Sequence, residues 1–503
     1  MLKQKSLLSL VMSIMQQGVG YISLFFISRY MGPEPLGIIS SALAFTTVFM
    51  GFSDLGFGIA HVKMVSSGDH ELGKCIGTYA TIKVVLVTLV GLICLGVILY
   101  GHYGDGAIPI PKEYASVMYV MLGVSLLDGY SKIASFTFAA KMEKAKEWLS
   151  LFSIKFITAT LRSITAIVGL GVIYLAFSSL VATFVGILIA IYFIRRYPIQ
   201  KLDLPLAKEY IIYALPAFFI GISATLSQEF DKLFLGYFST VEQVGYYQGA
   251  KSVVQIITLI SVVFVSLLLP SYSRLYAKGQ IAEIANFARK IERYISFPLI
   301  AVGLFMFFFS EPLQSFFLGE KFTGAADLIQ ILVINSMLLI IVQPYTTQLM
   351  GMNRIKTATW LSILVLFLNV VFYLVFIPKS IGSLELFGLG ARGAAFSLLC
   401  STLIATILFR YYAFKLTCSK PNWMIVFNLA VGIMVYWPLS YLAQYFRFMG
   451  NFLLLVFMFS IGFVFYLLAL YILRLFTKSD VVFYLETLNL KKLMVYVKGE
   501  VSK

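Results

Sequence analysis

The chain has 503 residues, 60% hydrophobic and 12% charged, with a mean hydropathy of +0.90 and a formal net charge of +16. A water-soluble domain carries about 25% charged residues and could not bury this much apolar surface in one core, so the bilayer must supply the apolar environment. Most Lys and Arg fall in short segments between apolar runs, where anionic headgroups neutralise them; with no soluble basic domain, nucleic acid is excluded as a partner.

A membrane-spanning helix needs about twenty mostly apolar residues. Such runs recur at 7–28, 36–60, 75–100, 114–139, 149–174, 176–194, 210–237, 244–270, 294–318, 324–349, 357–377, 391–414, 423–446 and 451–475. Backbone polar groups in lipid must be bonded internally, so the runs read as about fourteen helices, an all-α polytopic membrane protein rather than a barrel. The first run is too long for a signal core and lacks a small-residue cleavage site, so it is retained. The fifth and sixth helices are expected to part at 174–178. The segment 271–292 reads as an amphipathic cytoplasmic helix. The tail 477–503, with Val481, Tyr484, Leu485 and Leu488 beside Lys491 and Lys492, reads as an interfacial helix, with a frayed soluble tail as the alternative. Cys75, Cys94, Cys400 and Cys418 lack ligand spacing, so no disulfide framework, metal or cofactor is expected. His61, His70 and His102 are expected in loops.

Basic residues set the orientation. One alternate set of connections holds, among others, Lys141, Lys144, Lys146, Arg195, Arg196, Arg289 and Lys290; the other holds only Arg29, Lys112, Lys321, Lys379, Arg392 and Arg447. The asymmetry predicts a multi-pass protein of the inner (plasma) membrane with both termini in the cytoplasm. An internal repeat accompanies it. At a constant offset, 26–42 aligns with 234–250, so that Phe26 meets Phe234, Glu34 meets Glu242, Gly37 meets Gly245 and Ala42 meets Ala250. Six helices separate the two windows. An even number preserves orientation, so the halves are expected to be related by a pseudo-twofold along the membrane normal.

A charge at the bilayer centre costs about 2.5–3.5 kcal/mol and is kept only where it faces protein or water. The spans hold Asp54, Lys83, Asp128, Lys132, Lys155, Arg162, Glu229, Asp231, Lys232 and Lys251. Asp128 and Lys132, four apart, share a face, as do Glu229 and Lys232; Lys155 and Arg162, seven apart, stack two turns apart. The functional reading is a net-basic, hydrated cavity in which Arg29 and Arg162 grip phosphate bidentately and Lys83, Lys155, Lys232 and Lys251 act as point charges. The bland readings stand beside it: a structural Asp128–Lys132 pair, a snorkelling Lys83 or Lys155, and an Asp54 that anchors a broken helix end. Arg162 has no such escape.

The segment Arg29-Tyr30-Met31-Gly32-Pro33-Glu34-Pro35-Leu36-Gly37 followed by Asp54-Leu55-Gly56 resembles the start of polysaccharide transporters of the O-antigen flippase type. So do Ala214-Leu215-Pro216, Asp231-Lys232-Leu233-Phe234-Leu235-Gly236, Val244-Gly245-Tyr246-Tyr247, Pro270 and Ser273-Arg274-Leu275. The likeness runs from about residue 5 to 475, in the multidrug/oligosaccharidyl-lipid/polysaccharide exporter superfamily. It implies two six-helix lobes, 1–200 and 201–416, two additional helices in 417–476 and a cytoplasmic amphipathic tail, 477–503. It further implies alternating access carrying a polyprenyl pyrophosphate glycan from the cytoplasmic to the outer leaflet for cell-surface polysaccharide assembly, with membrane lipids and polysaccharide polymerase machinery as further partners. Cationic lumen residues would take the headgroup, a role carried to Arg162, Lys155, Lys232 and Lys251; Asp54 and Asp231 match recurrent acidic positions, and with Glu229 they are candidates for ion coupling or gating. The alternatives are a cation-coupled multidrug antiporter of the same fold, which would favour a net-acidic cavity, and a membrane glycosyltransferase or polymerase, for which no extramembrane domain or acid–base cluster stands out.

Overall fold

A computed structural model describes residues 2–103, 114–419, 422–445 and 452–487, and every long element in it is an α-helix. In chain order these are α1 (Leu2–Tyr30), α2 (Pro33–Gly51), α3 (Phe57–Ser67), α4 (Leu72–Tyr103), α5 (Ala115–Ala140), α6 (Lys144–Val168), α7 (Val172–Ile194), α8 (Leu204–Phe238) and α9 (Val241–Val254). There follow α10 (Thr258–Ala277), α11 (Ile281–Phe308), α12 (Ser310–Phe317), α13 (Ala325–Gly351), α14 (Ile355–Phe376), α15 (Ala391–Thr417), α16 (Met424–Tyr445), α17 (Phe452–Ile472) and α18 (Lys478–Thr487). Ser380–Ile381 and Leu384–Glu385 pair as a small antiparallel hairpin, β1–β2, between α14 and α15. Twelve of the described helices are long and apolar enough to cross a membrane; α8, and α9 joined to α10 through a 3-10 turn at Gln255–Ile257, account for the remaining two expected spans.

Several expected boundaries are corrected. The second span is broken: α2 stops at Gly51 and α3 restarts at Phe57, because Leu55 and Gly56 take positive φ values of 43° and 82°. The fifth and sixth spans part at Gly169–Gly171, with Gly169 as a left-handed cap, and not at 174–178. No separate amphipathic helix occupies 271–292, where α10 and α11 extend toward each other and break only at Lys278–Gln280. The span at 294–318 is the end of α11 plus α12. His61 and His102 lie in helices, α3 and α4, and not in loops. In the tail, α18 is docked rather than frayed: Asp480, 2% exposed, meets Arg293 at 2.5 Å, and Phe483 stacks on Tyr294 at 3.8 Å. Leu488, Lys491 and Lys492, like Lys112 and Arg447, lie outside the described residues.

Packing divides the chain into two compact units. One comprises residues 22–248 and 373–391; the other comprises 1–21, 249–372 and 392–503. This division falls after residue 248, since α8 packs against α2 and α3. Close approach makes this packing: a Cβ built on Gly56 would lie 2.2 Å from the Ala214 carbonyl oxygen of α8. The core of the first unit joins Ile38 and Ile39 of α2 to Cys94 and Ile98 of α4, Met121 and Leu122 of α5, and Leu175 and Ala176 of α7. A second core of that unit, around Tyr79, Tyr210 and Ala214, ties α8 to α3 and α4. In the other unit Tyr345 and Leu349 of α13 pack with Ala358 and Leu361 of α14 and Phe409 and Ala413 of α15.

The two repeat windows touch each other within the first unit. A Cβ on Gly37 would lie 1.9 Å from the Val241 carbonyl oxygen, and a Cβ on Gly245 would lie 1.9 Å from that of Pro33. Val241 aligns with Pro33 as Gly245 aligns with Gly37, so the contact is reciprocal, as a twofold relation between the windows requires. Only glycine admits backbones this close.

Candidate functional site: a chain of buried charges

The charged side chains of the first unit begin at the break in the second span. Asp54 lies between α2 and α3, where its Oδ2 accepts the Gly58 N–H at 3.4 Å; its Oδ1 receives Lys83 Nζ of α4 at 2.7 Å. Lys83 also donates to the Ser53 carbonyl at 3.2 Å, and its side chain is fully buried. Two expectations are corrected here: Lys83 does not snorkel, and its charge is compensated. Asp54 fills the role of anchor at a broken helix end as well as that of counter-ion. On α5, Asp128 and Lys132 pair at 3.3 Å with side chains nearly half exposed.

The fifth span differs. Arg162 of α6 donates from Nη2 to Ser179 Oγ of α7 at 2.7 Å and from Nε to the Leu175 carbonyl at 3.4 Å, and it has no carboxylate partner among the described residues. Lys155, two turns earlier, has no hydrogen-bond or ion-pair partner among them and feels the charges of Arg162 and Asp128. Both lie on the side of α6 away from the exposed Thr160, Ile164 and Ile167, as 3.6 residues per turn requires. Lys155 is exposed and Arg162 half-buried. Lys83 in turn feels Lys132 and Asp128. Lys83 is thus neutralised by Asp54 and Lys132 by Asp128, which leaves Lys155 and Arg162, two positive charges, without a carboxylate partner among the described residues.

A second cluster sits on α8 and α9. Lys232, 8% exposed, pairs with Glu229 one turn earlier, the neighbour on the shared helix face. Asp231 is fully buried; its Oδ1 accepts its neighbour's backbone N–H at 2.8 Å and its Oδ2 accepts the Tyr247 hydroxyl at 2.7 Å. Tyr373, also buried, lies with its ring 5.5 Å from Phe234 on the same helix as Asp231. Arg29 is exposed at the end of α1, its guanidinium 4.4 Å from the Phe25 ring centroid. Lys251 is half-buried on α9, in the stretch that belongs to the other compact unit.

Sequence reasoning missed the partners rather than the charges. Ser179, which holds Arg162, and Tyr247, which holds Asp231, are 17 and 16 residues from them and lie on neighbouring helices. It missed His61 altogether. That imidazole is fully buried, 2.9 Å from the Tyr210 hydroxyl and 3.0 Å from Thr137 Oγ1, and stacked on Tyr79 at 4.3 Å. No one-dimensional signal links it to partners 149 and 76 residues away.

With this geometry in place, similarity to known proteins can be stated. The profile of a family described as polysaccharide biosynthesis protein matches residues 26–327. Among curated proteins none matches significantly. Among solved structures, the lipid II flippase MurJ in an inward closed conformation is similar at a TM-score of 0.70 and 12% identity, over 92% of this chain and 98% of that one. An inward-facing multidrug resistance MATE transporter of the MOP superfamily gives 0.62 and 14%, over 83% and 100%. A MOP superfamily transporter from Pyrococcus furiosus, described as having a binding pocket of reverse polarity, gives 0.57 and 15%, over 84% and 97%. These likenesses establish the fold, the one that these three solved proteins share.

Proposed function

Since the chain belongs to the polysaccharide biosynthesis protein family, we propose that it is a flippase carrying a polyprenyl pyrophosphate-linked oligosaccharide from the cytoplasmic to the outer leaflet of the inner membrane. It works by alternating access between lobes at 1–200 and 201–416, for cell-surface polysaccharide assembly. It is a transporter and not an enzyme, both termini are cytoplasmic, and the exported glycan passes to polysaccharide polymerase machinery. The observation that carries the reading is Arg162, a membrane guanidinium held among the described residues by a hydroxyl and a carbonyl and by no carboxylate, with the exposed Lys155 two turns earlier on the same side of α6. A pyrophosphate would supply the missing anion, and a guanidinium matches it bidentately. A cation carrier would instead gain from an acidic excess, so the surplus of two positive charges disfavours the antiporter. Lys83 and Lys232, already neutralised, serve as positioning charges, with Arg29 and Lys251 further along the path. Asp54, Asp231 and Glu229 are the carboxylates for ion coupling or gating, and Asp231, fully buried and bonded to Tyr247, is the foremost of them.

The test is genetic and chemical. Deleting the gene should strand a lipid-linked glycan on the cytoplasmic face; wild type should clear it, and Arg162→Ala should clear it at least about tenfold less well at equal protein level, the loss of one charge-assisted contact worth about 1.5–3 kcal/mol. A deletion strain with no stranded glycan would refute the flippase. Full rescue by Arg162→Ala would remove that residue from the site.

A further inference from the structure

His61 stands where four helices of the first unit meet, and it belongs to neither cluster of charges. Its fully buried ring, on α3, has Nδ1 2.9 Å from the Tyr210 hydroxyl of α8 and Nε2 3.0 Å from Thr137 Oγ1 of α5. It lies on the face of Tyr79 of α4, the two planes 14° apart. The hydroxyls lead onward in turn: Thr137 donates to the Ile133 carbonyl at 2.7 Å, and Tyr210 reaches the Cys75 carbonyl at 3.3 Å. One imidazole therefore ties α8 to α3, α4 and α5. The close approach of Gly56 to the Ala214 carbonyl belongs to the same joint, as does Lys63, whose ammonium lies 3.9 Å from the Tyr213 ring centroid.

A neutral ring satisfies this arrangement in either tautomer, because both partners are hydroxyls that donate or accept. A charged ring finds no counter-ion there. The helices packed around it present Tyr79 and Cys75 from α4, Thr137 from α5 and Tyr210 from α8, while Lys63 of α3 itself is turned to Tyr213. The carboxylates nearby are engaged elsewhere, Asp54 with Lys83 and Glu209 with His70. Enclosing an imidazolium without a carboxylate forfeits hydration that nothing replaces. The closed joint thus selects the neutral imidazole, whereas a joint opened to water admits both forms. Linkage gives the sign: the closed arrangement is fully favoured above the range in which a free imidazole titrates, and it loses ground to the open one as pH falls through that range. Alternating access between 1–200 and 201–416 parts α8 from α3 in one of its states. We infer that His61 is a proton-binding site that latches the α3–α8 joint, closed when the ring is neutral and released when a ring nitrogen takes a proton from water. The inference rests on the flippase reading and adds to it a gate that responds to protons through an imidazole.

The joint carries its own reporter. Cys75 is fully buried in it, Cys94 is fully buried in the other core of the unit, and Cys418 is exposed. In the purified full chain in nanodiscs, maleimide labelling of Cys75 relative to Cys418, read by mass spectrometry, follows opening of the joint, and labelling of Cys94 marks loss of fold. Lowering the pH from about 7.5 to about 5.5 should raise the relative rate about tenfold, the change expected from protonation of a water-exposed imidazole. His61→Gln, which hydrogen-bonds but does not titrate, should show no such response, and His70→Gln should keep it. Tyr210→Phe should raise the rate at the higher pH about fivefold, the loss of one hydrogen bond. A response that persists in folded His61→Gln, or one abolished by His70→Gln, would overturn the proposal. If His61→Gln exposes Cys94, the other arms decide: a wild-type rate indifferent to pH, or no rise in Tyr210→Phe, overturns the latch. The readout needs no transport step, so its failure counts against the latch, whereas a deletion strain without stranded glycan counts against the flippase.

Discussion

Lys83 and Asp54 meet at 2.7 Å with the lysine side chain wholly enclosed, so removing either strands the other. Breaking a buried pair from one side costs about 3–5 kcal/mol, whereas replacing both members by apolar groups is close to neutral. Lys83→Met and Asp54→Leu should each lower the thermal midpoint of the purified protein, and the double variant should recover most of the loss. A double variant as unstable as the sum of the singles would mean that the two side chains act independently. Arg162 obeys a different rule, because its partners are neutral and its loss leaves no orphaned charge. The sequence identified all these side chains as intramembrane charges, yet it resolved only the pairs that helix geometry dictates, Asp128 with Lys132 and Glu229 with Lys232. Lys83 of α4 and Asp54 of the α2–α3 break are 29 residues apart, and no periodicity joins them; that is why a lysine read either as a snorkelling side chain or as a cavity point charge proved to be neutralised.

Among the elements, glycine decides where helices stop and how near they come. Gly37 of α2 faces a carbonyl of α9 at a distance that no side chain fits. Overpacking of this kind costs about 1–3 kcal/mol or more. Gly37→Val should therefore part α2 from α9 and lower the thermal midpoint, and Gly245→Val should do the same by a similar amount. Unequal effects, measured by scanning fluorimetry on both variants, would show that the contact is not reciprocal. Helix existence was legible because about twenty apolar residues in a row admit no other reading in lipid. Helix ends were not: the turn at Gly169–Gly171 is itself apolar and passes unnoticed in a hydropathy profile, and the charged stretch 281–293 continues a membrane helix outward without ending it.

For the whole molecule, the alternation of basic connections predicts an orientation that can be tested. Alkaline phosphatase fused after residue 475 should be inactive and a fluorescent protein there should be bright, while phosphatase inserted in the hairpin 380–385 should be active; the opposite pattern would invert the topology and with it the direction of export. The all-α fold of about fourteen spans was readable from hydropathy and spacing, whereas the grouping of α8 with α2 and α3 was not, since it follows from contacts between segments well over a hundred residues apart. The reciprocal glycine contact carries a last consequence. Position for position, each repeat window supplies both the knob and the hollow, which is the geometry of an isologous dimer. Either half of the chain, present in two copies, would own a complete interface. The joint between Gly37 and Gly245 has the geometry that two copies of one window, packed about a twofold, would make, and a side chain added at either glycine meets the other window's backbone.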